Sequence, residues 1–465
     1  MKRLYTLSFL SLLLFSCSEE PPQKPNVIYI MADDLGYGDV GVFGQKVIQT
    51  PNIDKLAEEG MMLTRHYAGN TVCAPSRCTL MTGMHNGHAT VRGNKRVPLR
   101  DEDFTVAELF KANGYATGLI GKWGLGEEGS SGIPNKQGFD YFYGYLNQAK
   151  AHNYYPAYLY ENEEKDSLGN IVELMTKGYA AGVGGHSTNK KTYSNTKFQE
   201  KSLAFLNQNK DNPFFLYLAL TLPHANNESH HFDESGMEIP SYGIYDKEAW
   251  PDHQKGHAAM ISELDRTVRL IMEQLKTDGL DENTLVIFTS DNGPHNEGGA
   301  DSEFFDSNGP FRGTKRDLYD GGIRVPTIAR WPGKIEAGSS SDHLSGFVDF
   351  LDTISDLITP ETETSDGISY LPTLLGKPQK KHEFMYWEFG ELGGKKGLIF
   401  DQKWKCIQLD VNDSTKTSIE LYDLESDIEE QTNLAEEFPT LVQKALTIME
   451  QEHTFNPDFK FNYEN

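Results

Sequence analysis

The chain has 465 residues, a mass of 52.3 kDa and 38% hydrophobic residues, enough for one large domain and a smaller one, which excludes wholesale disorder. With 43 basic against 68 acidic residues the formal net charge is −25, so a general nucleic-acid coat is excluded. An anionic substrate must be held here by local cations or a metal. The four cysteines, Cys17, Cys73, Cys78 and Cys406, are too few for a disulfide scaffold.

Met1-Lys2-Arg3 is a basic start, and Leu4 to Phe15 is mostly apolar but too short to span a bilayer. This has the shape of a secretory signal. Its end, Leu14-Phe15-Ser16-Cys17, resembles a lipobox, in which Cys17 is lipidated; an ordinary signal peptide carrying a cysteine is the other reading. Residues 18–25, with the run PPQKP, read as a tether. Residues 26–375 then read as the main α/β domain, and residues 376–465 as a C-terminal α+β subdomain.

Asn26 to Met31 is a short apolar run that reads as a buried strand, followed by Asp33 and Asp34. Thr117 to Ile120 is a weaker strand leading into GKWGLG. Pro213 to Leu220 leads into LPH, Leu285 to Thr289 leads into SDNG, and Ile323 to Ala329 reads as a further strand. Helical periodicity covers Thr105 to Asn113, with Gly114 as its stop, then Thr196 to Asn207 and Ala258 to Lys276. Strands alternating with helices predict βαβ units, hence a large mixed, mostly parallel sheet flanked by helices. Asn135 to Tyr193, rich in Tyr, Asn, Gly and His, reads as long irregular connections. KWKCIQ and IELYDLESD resemble antiparallel strands, and Pro439 to Glu452 a closing helix.

In open α/β sheets the site lies beyond the carboxyl ends of the strands. Those ends carry Asp33-Asp34, Lys122, His224 and Asp291-Asn292. Asp33, Asp34, Asp291 and Asn292 offer only oxygen ligands, a set for Ca²⁺ or Mg²⁺. No HExxH or CxxC points to zinc. An Asp pair is also a favoured helix cap, but the matching pair at a second strand end argues against that role. Cys73 stands where a helix begins. A cysteine there has a depressed pKa and is reactive, or else is a small buried core residue; the segment alone leaves both open.

CAPSRCTLMTG, Cys73 to Gly83, resembles the C-x-P-S-R-x-x-L-x-T-G signature of type I, formylglycine-dependent sulfatases. GKWGLG, the PH pair, SDNG and RGTKRDLYDGGIRVP are similar to further motifs of that family, so the resemblance covers nearly the whole chain after residue 25. It implies an alkaline phosphatase-like fold. It implies that a maturation enzyme converts Cys73 to formylglycine, whose hydrate attacks sulfur in line and then expels sulfate by elimination. It implies that Asp33, Asp34, Asp291 and Asn292 bind the metal, Ca²⁺ as in the family or Mg²⁺. Arg77, Lys122 and Lys315 would orient nucleophile and sulfate, and His224, able to titrate near neutral pH, would protonate the leaving oxygen. The chain departs from the pattern at Gly124, where many members carry a histidine that assists elimination. His88 and His152 are the candidate substitutes.

Tyrosine-rich loops suit sugar rings. His88, Arg92 and Asn94 in HNGHATVRGN, His152 with Asn153 and Tyr154 in AHNYY, and Glu388 in YWEF are candidate walls for a sulfated carbohydrate; TGMHNGHATVRGN and AHNYYP resemble segments of bacterial sulfatases acting on sulfated sugars, and that resemblance implies galactose or N-acetylgalactosamine. The expected partners are that glycan, a sulfatase-maturating enzyme and a membrane reached only through the lipid, with no nucleic acid. The expected location is periplasmic or cell-surface, as an exported lipoprotein of a Gram-negative bacterium. Two alternatives stand beside sulfatase action: a phosphonate or phosphate monoester hydrolase of the same superfamily, and a noncatalytic glycan-binding lipoprotein.

Overall fold

The computed structural model describes residues 24–232, 234–359 and 365–464. The signal segment, Cys17 and most of the tether lie outside the described residues.

Ten strands form the main sheet, in the spatial order Ser339–Ser341, Met61–Leu63, Ile328–Arg330, Thr284–Ser290, Asn26–Asp33, Phe214–Pro223, Ala116–Lys122, Tyr141–Tyr145, Tyr158–Glu161 and Glu164–Ser167. The five from Thr284–Ser290 to Tyr141–Tyr145 are parallel, and the flanking pairs Thr284–Ser290 with Ile328–Arg330 and Tyr141–Tyr145 with Tyr158–Glu161 are antiparallel. Alternation sends successive residues to opposite faces. Ile28, Ile30, Leu216, Leu218, Val286 and Phe288 join one core with the helices Pro51–Glu58, Ser194–Asn209 and Asp252–Thr277. Val27, Tyr29, Met31, Phe215, Tyr217 and Ile287 join the other with Cys73–Thr82, Val106–Ala112 and Phe350–Ile358. Burial on both faces explains why these strands read as unbroken apolar runs. Truncating one of their large side chains to alanine costs about 2–5 kcal/mol.

The helix expected over Thr105 to Asn113 spans Val106–Ala112 and is closed by a capping box. Thr105 Oγ1 accepts from Glu108 N–H at 3.2 Å, while Glu108 Oε2 accepts from Thr105 N–H at 2.8 Å.

Two expectations are corrected. The stretch Asn135 to Tyr193 is irregular over most of its length but not throughout: it holds three strands of the main sheet and the hairpin Ile171–Leu174 with Gly185–Asn189. These strands are only four or five residues long, and their aromatic, polar and glycine residues are mixed, so no long apolar run announced them. Ile323 to Ala329 is not one strand. Asp320–Ile323 is a helical turn, Arg324 makes an isolated bridge to Tyr67, and regular pairing starts at Ile328. Pro326, lacking an N–H, interrupts the ladder.

A four-stranded antiparallel sheet, Phe384–Phe389, Lys395–Phe400, Trp404–Leu409 and Ser418–Asp423, forms the C-terminal subdomain. One face packs on helix Pro439–Gln451 through Leu398, Cys406, Leu421, Ala445 and Met449. The other packs on the main domain through Trp387, Ile399, Ile407, Tyr67 and Leu318. Among the described residues no helix is long and apolar enough to cross a membrane.

Candidate functional site

The parallel register brings four strand ends to one level. Ala32 pairs with Ser290, Asp33 with Pro223, and Lys122 with Tyr145. Asp33, Asp34, Lys122, His224, Asp291 and Asn292 therefore converge, all buried. Helix Cys73–Thr82 opens onto the same level. Cys73 Sγ donates to Asp33 Oδ1 at 3.4 Å. Arg77, one turn on, reaches Asp291 Oδ2 through Nη2 at 2.9 Å, Asp33 Oδ2 at 3.3 Å and the Lys122 carbonyl through Nη1 at 2.7 Å. Lys122 Nζ donates to Asp33 Oδ2 at 2.6 Å and Lys315 Nζ to Asp34 Oδ2 at 2.8 Å.

Asp34 has φ +64°, a left-handed conformation uncommon outside glycine that costs of order 1–3 kcal/mol. Its N–H donates to Asp291 Oδ1 at 3.1 Å, and its Oδ1 accepts from Asn292 Nδ2 at 2.7 Å. Asn292 Oδ1 is buried and has no hydrogen-bond partner among the described residues. An orphaned amide oxygen beside three carboxylates fits a hard, oxygen-seeking cation. Asp33, Asp34, Cys73 and His224 each offer a ligand atom, all within 4.8 Å of one another.

Three buried carboxylates face three buried cations, Arg77, Lys122 and Lys315. A divalent ion added to this balanced set leaves the site net positive, which suits an anionic ester. Burial opposes the charge of Asp33, yet Lys122, His224 and Arg77 hold its carboxyl well below the usual range. Asp291 moves the other way, pushed up to about 7 by burial and the Asp33 charge.

One alternative left open by the sequence is decided, and one electrostatic expectation is corrected. Cys73 begins its helix, but burial and Asp33 push its thiol up rather than down, so the thiol itself is not an activated nucleophile. His224 does not titrate near neutral pH in this environment: burial, Lys315 and His152 hold it well below its ordinary value. Its Nδ1 lies 2.6 Å from the Ala225 carbonyl, so Nδ1 carries the proton. Nε2 is left as acceptor for Lys315 Nζ at 3.1 Å.

Above this floor lies a cavity of about 360 Å³ lined by Cys73, His224, Lys315, Asn94, His152 and Gln148, among others. His152 stacks on His224 with ring centroids 4.4 Å apart, and its Nδ1 faces Glu228 at 3.0 Å. Of the predicted wall residues, Asn94 and His152 are on this cavity. His88, Arg92 and Glu388 are not among its lining residues. His88 Nδ1 binds Asp366 at 2.9 Å; Arg92 binds the Thr454 carbonyl at 2.7 Å; Glu388 accepts from Tyr386 at 2.6 Å and meets His453 at 2.6 Å. Arg92, bonded to Thr454 and 3.7 Å from Glu388, ties the main domain to the C-terminal segment, while His88 is held within the main domain by Asp366. The cause is local: a Cβ on Gly87 would lie 1.9 Å from the Glu452 carbonyl, so the chain after His85 runs against the subdomain.

Sequence reasoning missed Lys95, Gln148, Tyr179, Asn227, Glu228, Arg316 and Glu391 on the cavity. Of these, Lys95 and Arg316 carried a signal, as the neighbours of Asn94 and of Lys315 in RGTKRD. His295, stacked 5.4 Å from His224 with Nε2 3.8 Å from Asp34, was also missed, although it forms a second PH pair.

A family model described as Sulfatase matches residues 25–359, and one described as N-sulphoglucosamine sulphohydrolase, C-terminal, matches residues 311–453. The chain is 32% identical to N-acetylgalactosamine-6-sulfatase of Canis lupus familiaris over 76% of this chain and 67% of that protein. It is 28% identical to N-acetylgalactosamine-6-O-sulfatase of Bacteroides thetaiotaomicron, covering 93% of this chain and 94% of that protein. The solved structure of Ps i-CgsB in complex with k-i-k-neocarrahexaose superposes with a TM-score of 0.76 at 27% identity, covering 95% of this chain and 94% of that one. Strand ends, buried charges and similarity over most of the length agree: the chain belongs to the sulfatase family and is a sulfuric ester hydrolase.

Proposed function

We propose that the chain removes sulfate from a sulfated glycan of galactose or N-acetylgalactosamine type, acting at the end of a saccharide. The observation that carries this is the polar cavity with Cys73, Lys315 and His224 on its floor and Lys122 and Arg77 in contact behind them. Its volume of about 360 Å³ is at the small end for ligand sites, which suits a terminal sugar better than the middle of a chain. The names of the canine and Bacteroides relatives support the sugar type.

Formylglycine made from Cys73, with Ca²⁺ or Mg²⁺ held by Asp33, Asp34, Asp291 and Asn292, would supply the activated hydroxyl and the positive field that sulfate transfer needs. The chain's own residues do the rest. Arg77 locks the Cys73 helix to the Asp291 and Lys122 strand ends, fixing residue 73 in the attack position. Lys122 and Lys315 draw the ester into the buried site and oppose charge developing on its oxygens. Proton delivery to the leaving oxygen runs through the Lys315–His224 pair. As negative charge builds on the leaving oxygen, Lys315 Nζ gives a proton to His224 Nε2, which accepts from it at 3.1 Å, and Nε2 passes that proton to the leaving oxygen, Lys315 being left as the neutral amine. His152, stacked on His224 and held by Glu228, is the imidazole placed to accept a proton during sulfate release.

The test is sulfate release from defined sulfated sugars by protein coexpressed with a maturase, with Cys73→Ala as control and phosphate esters alongside. Release from a galactose or N-acetylgalactosamine sulfate, absent in the control, is expected. No release despite mass-verified aldehyde at residue 73 overturns the sugar assignment, and turnover of phosphate esters alone overturns the ester class.

A further inference from the structure

Gly124 and Gln148 occupy one space. Gly124 has φ +83°, and a Cβ there would lie 1.9 Å from Gln148 Nε2. The absence of a side chain at 124 is therefore matched by the presence of a carboxamide delivered from elsewhere in the chain. The backbone that delivers it is tied to the strand end bearing Lys122. Trp123 N–H donates to the Tyr145 carbonyl at 2.9 Å, Gly124 N–H to Leu146 at 3.0 Å, and Ala151 N–H to the Gln148 carbonyl at 3.1 Å. Asn147 is fixed on both sides, its Nδ2 donating to Glu127 at 2.6 Å and its Oδ1 accepting from Lys150 N–H at 3.0 Å.

Gln148 is 7% exposed and lines the cavity floored by Cys73, His224 and Lys315. Both Nε2 and Oε1 are buried without a hydrogen-bond partner among the described residues. A buried carboxamide left unmet at both ends is costly, and a side chain merely filling space beside Gly124 would not need to be polar. Glutamine brings two N–H donors and one acceptor oxygen. Sulfate oxygens are acceptors only, and sugar hydroxyls both donate and accept.

We propose that Gln148 is a substrate-binding residue of this site, its NH₂ donating to the sulfate group and its Oε1 accepting from a neighbouring sugar hydroxyl. This rests on the sulfatase reading of the cavity. It assigns to Gln148 the space that a side chain at position 124 would fill. A carboxamide binds and orients but takes up no proton in the neutral range. Proton acceptance during sulfate release is thereby left to the stacked imidazoles of His152 and His224, which line the same cavity.

The test uses Gln148→Met, which keeps length and volume but loses both hydrogen-bonding ends, and Gln148→Glu, which keeps the shape and replaces donors by charge. Two readouts are taken on the full chain. The first is calorimetric binding of inorganic sulfate to the calcium-loaded thiol form, which needs no maturation. The second is kcat and KM of the matured protein on its best sugar sulfate. Expected is a rise of at least about tenfold in the sulfate dissociation constant for Gln148→Met, and more for Gln148→Glu, because a carboxylate repels sulfate. In turnover, kcat/KM falls about 10- to 100-fold with an unchanged melting temperature. Sulfate binding equal to wild type in the Met variant, or no sulfate binding by the wild type, overturns the assignment. The Cys73→Ala control separates this from failure of the sulfatase reading: turnover lost in that control but unchanged in Gln148→Met removes Gln148 alone.

Discussion

Two of the buried clusters of charge among the described residues are built differently. At the strand ends, Asp33, Asp34 and Asp291 face Arg77, Lys122 and Lys315 beneath an open cavity, with Asn292 Oδ1 and both ends of Gln148 unmet. At the subdomain seam, Lys405 Nζ lies 2.7 Å from Asp320 and 2.8 Å from Glu430, while Arg324 and the Tyr67 hydroxyl complete Asp320 at 3.1 and 3.0 Å. Lys405, Asp320 and Glu430 are fully buried. The seam spends its charges on one another and joins two parts of the chain. The site keeps neutral acceptors and donors in reserve for something that is not protein. Buried charge by itself marks neither function nor stability; at the seam even Glu430 Oε1, which lacks a well-formed hydrogen bond, faces Lys405 Nζ at 2.8 Å, whereas the described residues offer Asn292 Oδ1 and both ends of Gln148 no partner.

The largest effect that separates them is expected at the seam. Lys405→Met leaves Asp320 and Glu430 without their shared cation and should cost about 3–5 kcal/mol in denaturant unfolding. Glu430 adds a pH signature. Burial and Asp320 push its carboxyl up to about 7 against the pull of Lys405. The folded state therefore holds that proton more tightly than the unfolded one, whose glutamate titrates near about 4.3. Its stabilisation is full below that value and lost as pH rises through the folded pKa. Glu430→Gln should thus gain on wild type as pH rises from about 4 to about 7. A constant difference across that window would show that Glu430 stays ionised.

The site should instead respond to added cation. Calcium at a hundred times its dissociation constant should stabilise chelator-treated protein by about 2.7 kcal/mol. That gain should shrink in Asn292→Ala and persist in Lys405→Met, read as the shift in unfolding midpoint. Equal gains in the two variants would remove the reason for treating Asn292 Oδ1 as a reserved ligand.

Much of the fold and the site floor was legible because each central strand is an apolar run ending in a polar residue. Asp33, Lys122, His224 and Asp291 follow such runs directly, and parallel register does the assembling. What failed to read were positions set by loop path. Gln148, His295 and Glu391 come from connections whose direction depends on tertiary contacts. His88 and Arg92 follow the Cys73 motif closely in the chain but are carried away where Gly87 meets the Glu452 carbonyl. Nearness to the motif in sequence was a poor guide once the chain crossed to the subdomain. Arg92→Met sharpens this: losing bonds to Thr454 and Ala89 should cost about 2 kcal/mol with KM unchanged. A raised KM at unchanged stability would return Arg92 to the substrate wall.

Asn94 stands between the two behaviours, and its effect is expected to be the smallest. It lines the cavity, yet its Oδ1 accepts from Ala74 N–H at 3.0 Å, in the first turn of the helix that carries Cys73. Val72, at the cap position of that helix, provides no side-chain acceptor, so Asn94 supplies one from outside the helix. Asn94→Ala should therefore cost about 1 kcal/mol of stability, as loss of a cap does. Its mark on turnover should fall on kcat, through a looser Cys73, rather than on KM. Asn94→Asp, which keeps an acceptor at the same place, should recover the stability. If Asn94→Ala instead raises KM manyfold at unchanged stability, the residue reads sugar hydroxyls, and the first turn of the helix needs no help from outside.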